Sequence, residues 1–232
     1  MRRTIVVLSL LLTCTIPVAL SGCNDSGTRN SQQAEPATES GPISIQKMGG
    51  GIDVDDAPHG ASLTTMGGDI HLSNVALFAK VKTMGGNIVI DHANASIHAT
   101  TMGGTITIDD ANGPIEATSM AGNITVRVVG SSSDRRDIDL TSTAGAIQLT
   151  VPRDFPMDVR IRLAYTKGSG GNYRIIDDLG LTQSETADWD MSRGSPRKYI
   201  RAFGKVGSGL NHVTINTING NVVLRQEQQP PV

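Results

Sequence analysis

From residue 43 to residue 129, apolar and polar positions alternate in short runs, and the same run returns every eighteen residues: TTMGGDIHL (64–72), KTMGGNIVI (82–90), TTMGGTITI (100–108). Aligned on Met48, Met66, Met84, Met102 and Met120, the copies form columns without insertion or deletion. Four positions after each Met stand Ile52, Ile70, Ile88, Ile106 and Ile124; six after stand Val54, Leu72, Ile90, Ile108 and Val126; nine after stand Ala57, Val75, Ala93, Ala111 and Val129. Three and five positions before it stand two further apolar columns with a polar residue between them.

Alternation with a period of two predicts two short strands per unit. A unit this small cannot bury its own face, so its copies must stack. The pattern predicts an all-β, single-stranded parallel β-helix (β-solenoid), right-handed, with coils of about 18 residues. Helical repeats are excluded, because stretches such as GNITVRV are β-branched and alternate. Volume compensation supports a shared interior slot: Ala61 goes with Leu63 and Ala79 with Val81, but Ile97 with Ala99 and Ile115 with Ala117.

The frame continues further on, with Thr143 and then Ile218 in the Met slot, which makes seven coils. At about 4.8 Å per coil the five regular ones span about 24 Å. The Met column stands beside the Ile column and is expected in the same core stack. Two after the reference position stand Gly50, Gly68, Gly86, Gly104, Gly122, Gly145 and Gly220, whereas the position before them also accepts Ala121, Ala144 and Asn219. A corner is expected there, with φ > 0 or too tight for a Cβ. Residues 43–225 thus form the repeat domain, interrupted at about 152–209 by VPRDFPMDVRIRLAY, a turn and a strand, and by an irregular excursion that carries Trp189.

The ends read differently. Residues 1–22 have a basic start, a short apolar run and a small-residue cleavage site, the pattern of a secretory signal. The closing LSGC resembles the lipobox of bacterial lipoproteins, so Cys23 is expected to become the acylated first residue. Residues 23–42 read as a flexible linker with a reach of about 25 Å, and 226–232 as a tail. Without residues 1–22 the chain has 18 Lys and Arg against 22 Asp and Glu, which argues against a nucleic-acid partner. No second cysteine remains to pair with Cys23.

Candidate chemistry is sparse. His59, His71, His92 and His98 fall at four different offsets around the coil, so no metal column is expected. Asp55, Asp56, Asp91, Asp109 and Asp110 gather at one turn, where turn formation explains them better than the nine-residue calcium-binding repeat. Polysaccharide-active enzymes occur among β-helices, but Phe78 is the only aromatic in the regular coils and no catalytic motif is present. No catalytic residue and no cofactor is expected.

The TMGGxIxI phrase, the related TAGAIQLTVP (143–152) and the closing VTINTINGNVVL (213–224) resemble the bacterial envelope family of adhesin-like β-strand-repeat domains of unknown function. The resemblance implies an exported or membrane-attached β-solenoid without established catalytic residues. Bactofilins, which polymerise through similar short coils, are a second likeness, from which the signal and lipobox depart. Two functions stand open. A lipid-anchored rod could present outer columns (Asn87, Thr105 and Asn123; Thr64, Thr100 and Thr118) to a glycan or an envelope protein, or it could serve as a scaffold that self-associates or binds a membrane partner.

Overall fold

The computed structural model describes residues 41–130, 135–192 and 194–227; Cys23, the signal, nearly all of the linker and most of the tail lie outside them. The described chain is an all-β solenoid with two strands per coil. The first five coils are β1 (Ile43–Lys47) with β2 (Ile52–Ala57), β3 (Ala61–Thr65) with β4 (Ile70–Val75), β5 (Phe78–Thr83) with β6 (Ile88–Ala93), β7 (Ser96–Thr101) with β8 (Ile106–Ala111), and β9 (Ile115–Ser119) with β10 (Ile124–Val128). A sixth coil follows, β11 (Ile138–Ser142) with β12 (Ile147–Val151).

Odd strands up to β11 pair in parallel, in chain order, in one sheet, and even strands do so in a second. Their registers join like with like: Ile70 opposes Ile52 and Ile88, and Val81 opposes Leu63 and Ala99. Every second side chain points inward. Ile70, Ile88, Ile106 and Ile124 are fully enclosed, as are Leu63, Val81 and Ala117 from the other sheet. Burying an Ile contributes about 1.5–3 kcal/mol, so each coil stabilises the fold chiefly through this interior stack. In the fifth coil the last column shifts by one: Val128, not Val129, pairs with Ala111, because β10 lacks the extra residue that bulges its neighbours.

The Met column is not in the core. Met48 is 83% exposed and Met66, Met84, Met102 and Met120 are 42–49% exposed. From the second coil on, the residue before the Met slot takes the inward position instead: Thr65, Thr83, Thr101, Ser119, Ser142 and Thr217 are buried. Each of their hydroxyls donates to a glycine carbonyl one coil back, from Thr65 to Gly50 (3.1 Å) and Thr101 to Gly86 (2.9 Å) through to Thr217 to Gly145 (2.7 Å). Thr83, Thr101 and Ser119 also accept from the glycine amide three residues on, at 2.9–3.2 Å. An inward hydroxyl turns the next side chain out across the corner, and that side chain is the Met.

The same carbonyls explain the strict glycine. A Cβ on Gly68, Gly86, Gly104, Gly122, Gly145 or Gly220 would sit 1.8–2.2 Å from the preceding coil's glycine carbonyl oxygen. Close stacking is the constraint, rather than a left-handed backbone: only Gly50, in the first coil, has a positive φ. Gly67 has open space at the Cβ position and Gly85 only ordinary contact, which is why the neighbouring column tolerates alanine.

Residues 152–209 are more ordered than their composition suggests. They hold β13 (Met157–Thr166), β14 (Ile175–Asp177), β15 (Thr182–Glu185) and β16 (Arg197–Val206), and the chain ends in β17 (Asn211–Ile218) and β18 (Val222–Gln226). β17 seats between β11 and β13, parallel to both, and β18 between β12 and β14. The final coil therefore fills a slot between the sixth coil and the one formed by β13 and β14. Beyond β13, β16 and β15 pair antiparallel and complete the ten-stranded sheet. Asn211 is buried at the entry to the slot, where its Oδ1 accepts from the Arg136 amide (2.6 Å) and its Nδ2 donates to the Pro156 carbonyl (2.7 Å).

Candidate functional site

Two outer faces carry the polar side chains. On the eight-stranded sheet, His71 lies between Asp53 (3.1 Å) and Asp91 (2.9 Å), and His92 contacts Asp110 at 2.9 Å. Arg127 bonds Asp110 and reaches Glu227 at 3.4 Å. The hydrogen bond to Asp91, joined by that to Asp53, raises the pKa of His71 above its ordinary 6.5 against the opposing effect of burial. These groups link neighbouring coils as exposed ion pairs. Among the described residues no group of three or more His, Cys, Asp and Glu is placed to hold a metal ion.

The outward Asn column is structural. Asn87 Oδ1 accepts from the Thr105 amide (2.9 Å) and Asn123 Oδ1 from the Ala146 amide (2.9 Å); Asp69 serves the Asn87 amide in the same way. Each side chain braces the corner of the next coil, which leaves it less free to meet a ligand. The Thr column is different: Thr64, Thr100, Thr118 and Thr141 lie in one row across the ten-stranded sheet, with Lys82 among them.

That sheet's outer face contains two grooves. The first, about 680 Å³, is lined by Lys80, His98, Glu116, Asp137, Asp139 and His212 among others. His98 pairs with Glu116 at 3.0 Å, and Asp137 lies 3.1 Å from Arg135 and 3.3 Å from His212. The His212 amide donates to Asp137 (3.0 Å), and this bond, followed by the Arg135 charge, holds its carboxyl below the ordinary value of 3.8. The second groove, about 660 Å³, is lined by Arg160, Arg162, Arg201, Phe203 and Lys205 among others, and it meets the first at Thr214. This arrangement offers a ligand paired charges at one end and cations beside an aromatic ring at the other.

The pattern in VPRDFPMDVRIRLAY marks β13 as a strand, but the second groove also needs β16, which follows the irregular excursion and carries no repeat of the frame. The signal was there in RKYIRAFGK: Arg197, Tyr199, Arg201, Phe203 and Lys205 alternate with period two, as on one face of a strand. The buried Thr/Ser column was equally readable, since it runs without exception from the second coil on.

The chain matches the family described as Toastrack DUF4097 over residues 20–177 and belongs to that family. β15 to β18 lie beyond the matched span. Among solved structures, the chain is similar to a crystal structure titled as a putative cell adhesion protein from Clostridium sporogenes ATCC 15579, with 8% identity and a TM-score of 0.33, covering 80% of this chain and 94% of that one. No curated protein matches the chain in sequence.

Proposed function

We propose that this member of the Toastrack family is a non-catalytic cell-envelope lipoprotein, held to a bacterial membrane through Cys23, that uses the outer face of its ten-stranded sheet for adhesion to a glycan or an envelope protein. The observation that carries the reading is the meeting of two grooves at Thr214 on one rigid sheet face. A stacked sheet holds such side chains in fixed register without a conformational step, and that suits binding. The family membership and the lipobox at LSGC support the placement.

The test is protease accessibility of a tagged chain on intact and on permeabilised cells, together with Cys23→Ser. Anchoring predicts that Cys23→Ser moves the chain from the membrane to the soluble fraction. Adhesion predicts cleavage on intact cells; protection there would turn the reading towards a partner inside the envelope.

The first coil favours a second reading, that of a self-associating scaffold. β1 and β2 each end a sheet, with a neighbour on one side only among the described residues. Pairing of this edge with a second copy predicts a concentration-dependent dimer in sedimentation, abolished by Ile45→Pro.

A further inference from the structure

Two stretches of the chain differ in charge. Residues 41–130 contain four Lys and Arg against eight Asp and Glu, whereas residues 151–210 contain ten against seven. Much of the positive excess comes to one surface, the outer side of β13 and β16. Register places Arg162 directly opposite Arg201 and Arg160 opposite Phe203. The flanking strands dilute nothing: Ser184 stands beyond Arg201, and Asn216 beyond Arg162.

Like charges directly opposite on neighbouring strands disfavour a sheet. Here no carboxylate pairs with the opposed guanidiniums: among the described residues Arg162, Arg197, Arg201 and Lys205 form no ion pair, and the one carboxylate that lines the groove, Asp158, stands opposite Lys205 in the register and reaches Arg160 at 3.6 Å. Tyr199 holds the opposed pair in place. The residue is 6% exposed, its hydroxyl donates to Asp190 (3.1 Å), and the Arg162 and Arg201 guanidiniums lie 4.6 and 5.8 Å from the ring centroid. Such cation–π seating fixes two planar forks before any anion arrives. Beside them Phe203 is 54% exposed, a large apolar face left in a charged groove. A smaller groove of about 170 Å³ adjoins at Arg162 and Asn216; it is also lined by Tyr199 and by Arg197, whose buried Nε has no hydrogen-bond partner among the described residues.

We propose that the outer face of β13 and β16 is a binding track for an acidic polysaccharide, with Arg162 and Arg201 as forks for its carboxylates and Phe203 as the platform for a sugar face. Along β16, outward residues recur at about 6.6 Å, so Arg197, Arg201 and Lys205 offer a cation every 13 Å or so to a linear polyanion. Guanidinium pairs carboxylates in two parallel hydrogen bonds. The exposed ring separates this ligand from a bare polyanion, which has no apolar face to lay on it. Tyr199 acts as a positioning residue.

This inference deepens the proposed adhesive role and is tested separately from it. The purified full chain is titrated with polygalacturonate, with polyphosphate, neutral dextran and phosphatidylglycerol vesicles as comparisons. The expected result is salt-sensitive binding of polygalacturonate, weakened about tenfold by Arg162→Gln or Arg201→Gln and several-fold by Phe203→Ser, with unchanged melting temperatures. Tyr199→Leu should weaken binding through looser guanidiniums, and Tyr199→Phe should restore much of it. Equal affinity for polyphosphate with no effect of Phe203→Ser, preference for the vesicles, or no binding at all would overturn the assignment. Failure here leaves protease accessibility on intact cells unchanged, whereas protection of the chain on cells would refute outward adhesion and leave this titration intact.

Discussion

In the five regular coils the order of the chain is the order of the stack; at the C-terminal end it is not. β1 to β12 are laid down one coil after another, each on the last, but β17 and β18 return to occupy a slot already bounded by β13 and β14. The regular coils repeat the same glycine carbonyl, the same hydroxyl and the same Ile, and on their eight-stranded side the outward charges are largely taken up by coil-to-coil ion pairs, with Asn braces at the corners. The other end breaks the repeat, adds two antiparallel strands and concentrates uncompensated cations. Repetition of identical contacts stabilises a stack, and departure from it leaves side chains free to meet something else.

Substitutions sharpen this contrast in order of size. The largest effect is expected from Ile215→Asp, which buries an unpaired carboxylate in the returning strand, between Leu140 and Ile161. A loss of about 4 kcal/mol or more is expected, with hydrogen-exchange protection falling in β11–β18 and retained in β3–β8. Equal loss along the whole stack would remove the distinction between the two ends.

Gly104→Val comes next. Its Cβ would stand 1.9 Å from the Gly86 carbonyl oxygen, a backbone atom that cannot swing aside, so about 3 kcal/mol is expected in denaturant unfolding. Gly85→Ala, one column over, is expected to stay within about 0.5 kcal/mol. Thr101→Val keeps the shape and leaves the Gly86 carbonyl and the Gly104 amide without their partner, at a cost of about 1–3 kcal/mol. Met84→Gln, on the exposed column, should change stability by less than about 0.5 kcal/mol; a loss of 2 kcal/mol or more would return the Met column to the core.

The smallest effect depends on pH. His71 is charged more readily folded than unfolded, so its pairing with Asp91 and Asp53 stabilises the protein fully below pH 6.5 and ceases to do so as pH rises through the raised folded value. The pair is part-exposed and screened, which limits the contribution to a few tenths of a kcal/mol. Wild type should therefore exceed His71→Gln in stability at pH 5.5 and match it at pH 8.5; a gap that widens with pH would reverse the sign.

Much of the architecture is legible in the sequence because a fixed period exposes columns. The Ile column and the strict glycine both follow from that, and Val213 and Ile215 announce a coil in the same frame. The Met column misleads because apolar character alone does not tell a corner from a core; the decisive residue is the Thr before it, whose hydroxyl takes the inward place. The cation track is harder to read because its charge pairs arise between β13 and β16, strands some forty residues apart whose antiparallel pairing no local pattern displays. The returning strand is hidden for a related reason. Val213 and Ile215 would fit the frame beside any neighbour, so the frame alone assigns them the next place in chain order.

That out-of-order seat is most directly tested by paired cysteines in a background lacking Cys14 and Cys23. Register places Asn216 between Thr141 and Arg162. Adjacent strands put Cα atoms about 4.8 Å apart, within disulfide reach, and the next strand but one at about twice that, beyond it. Oxidation should therefore join Thr141→Cys to Asn216→Cys and Asn216→Cys to Arg162→Cys, and leave Thr141→Cys with Arg162→Cys reduced. A ready 141–162 disulfide without the 141–216 one would mean that the coils stack in chain order throughout, and would contradict the account.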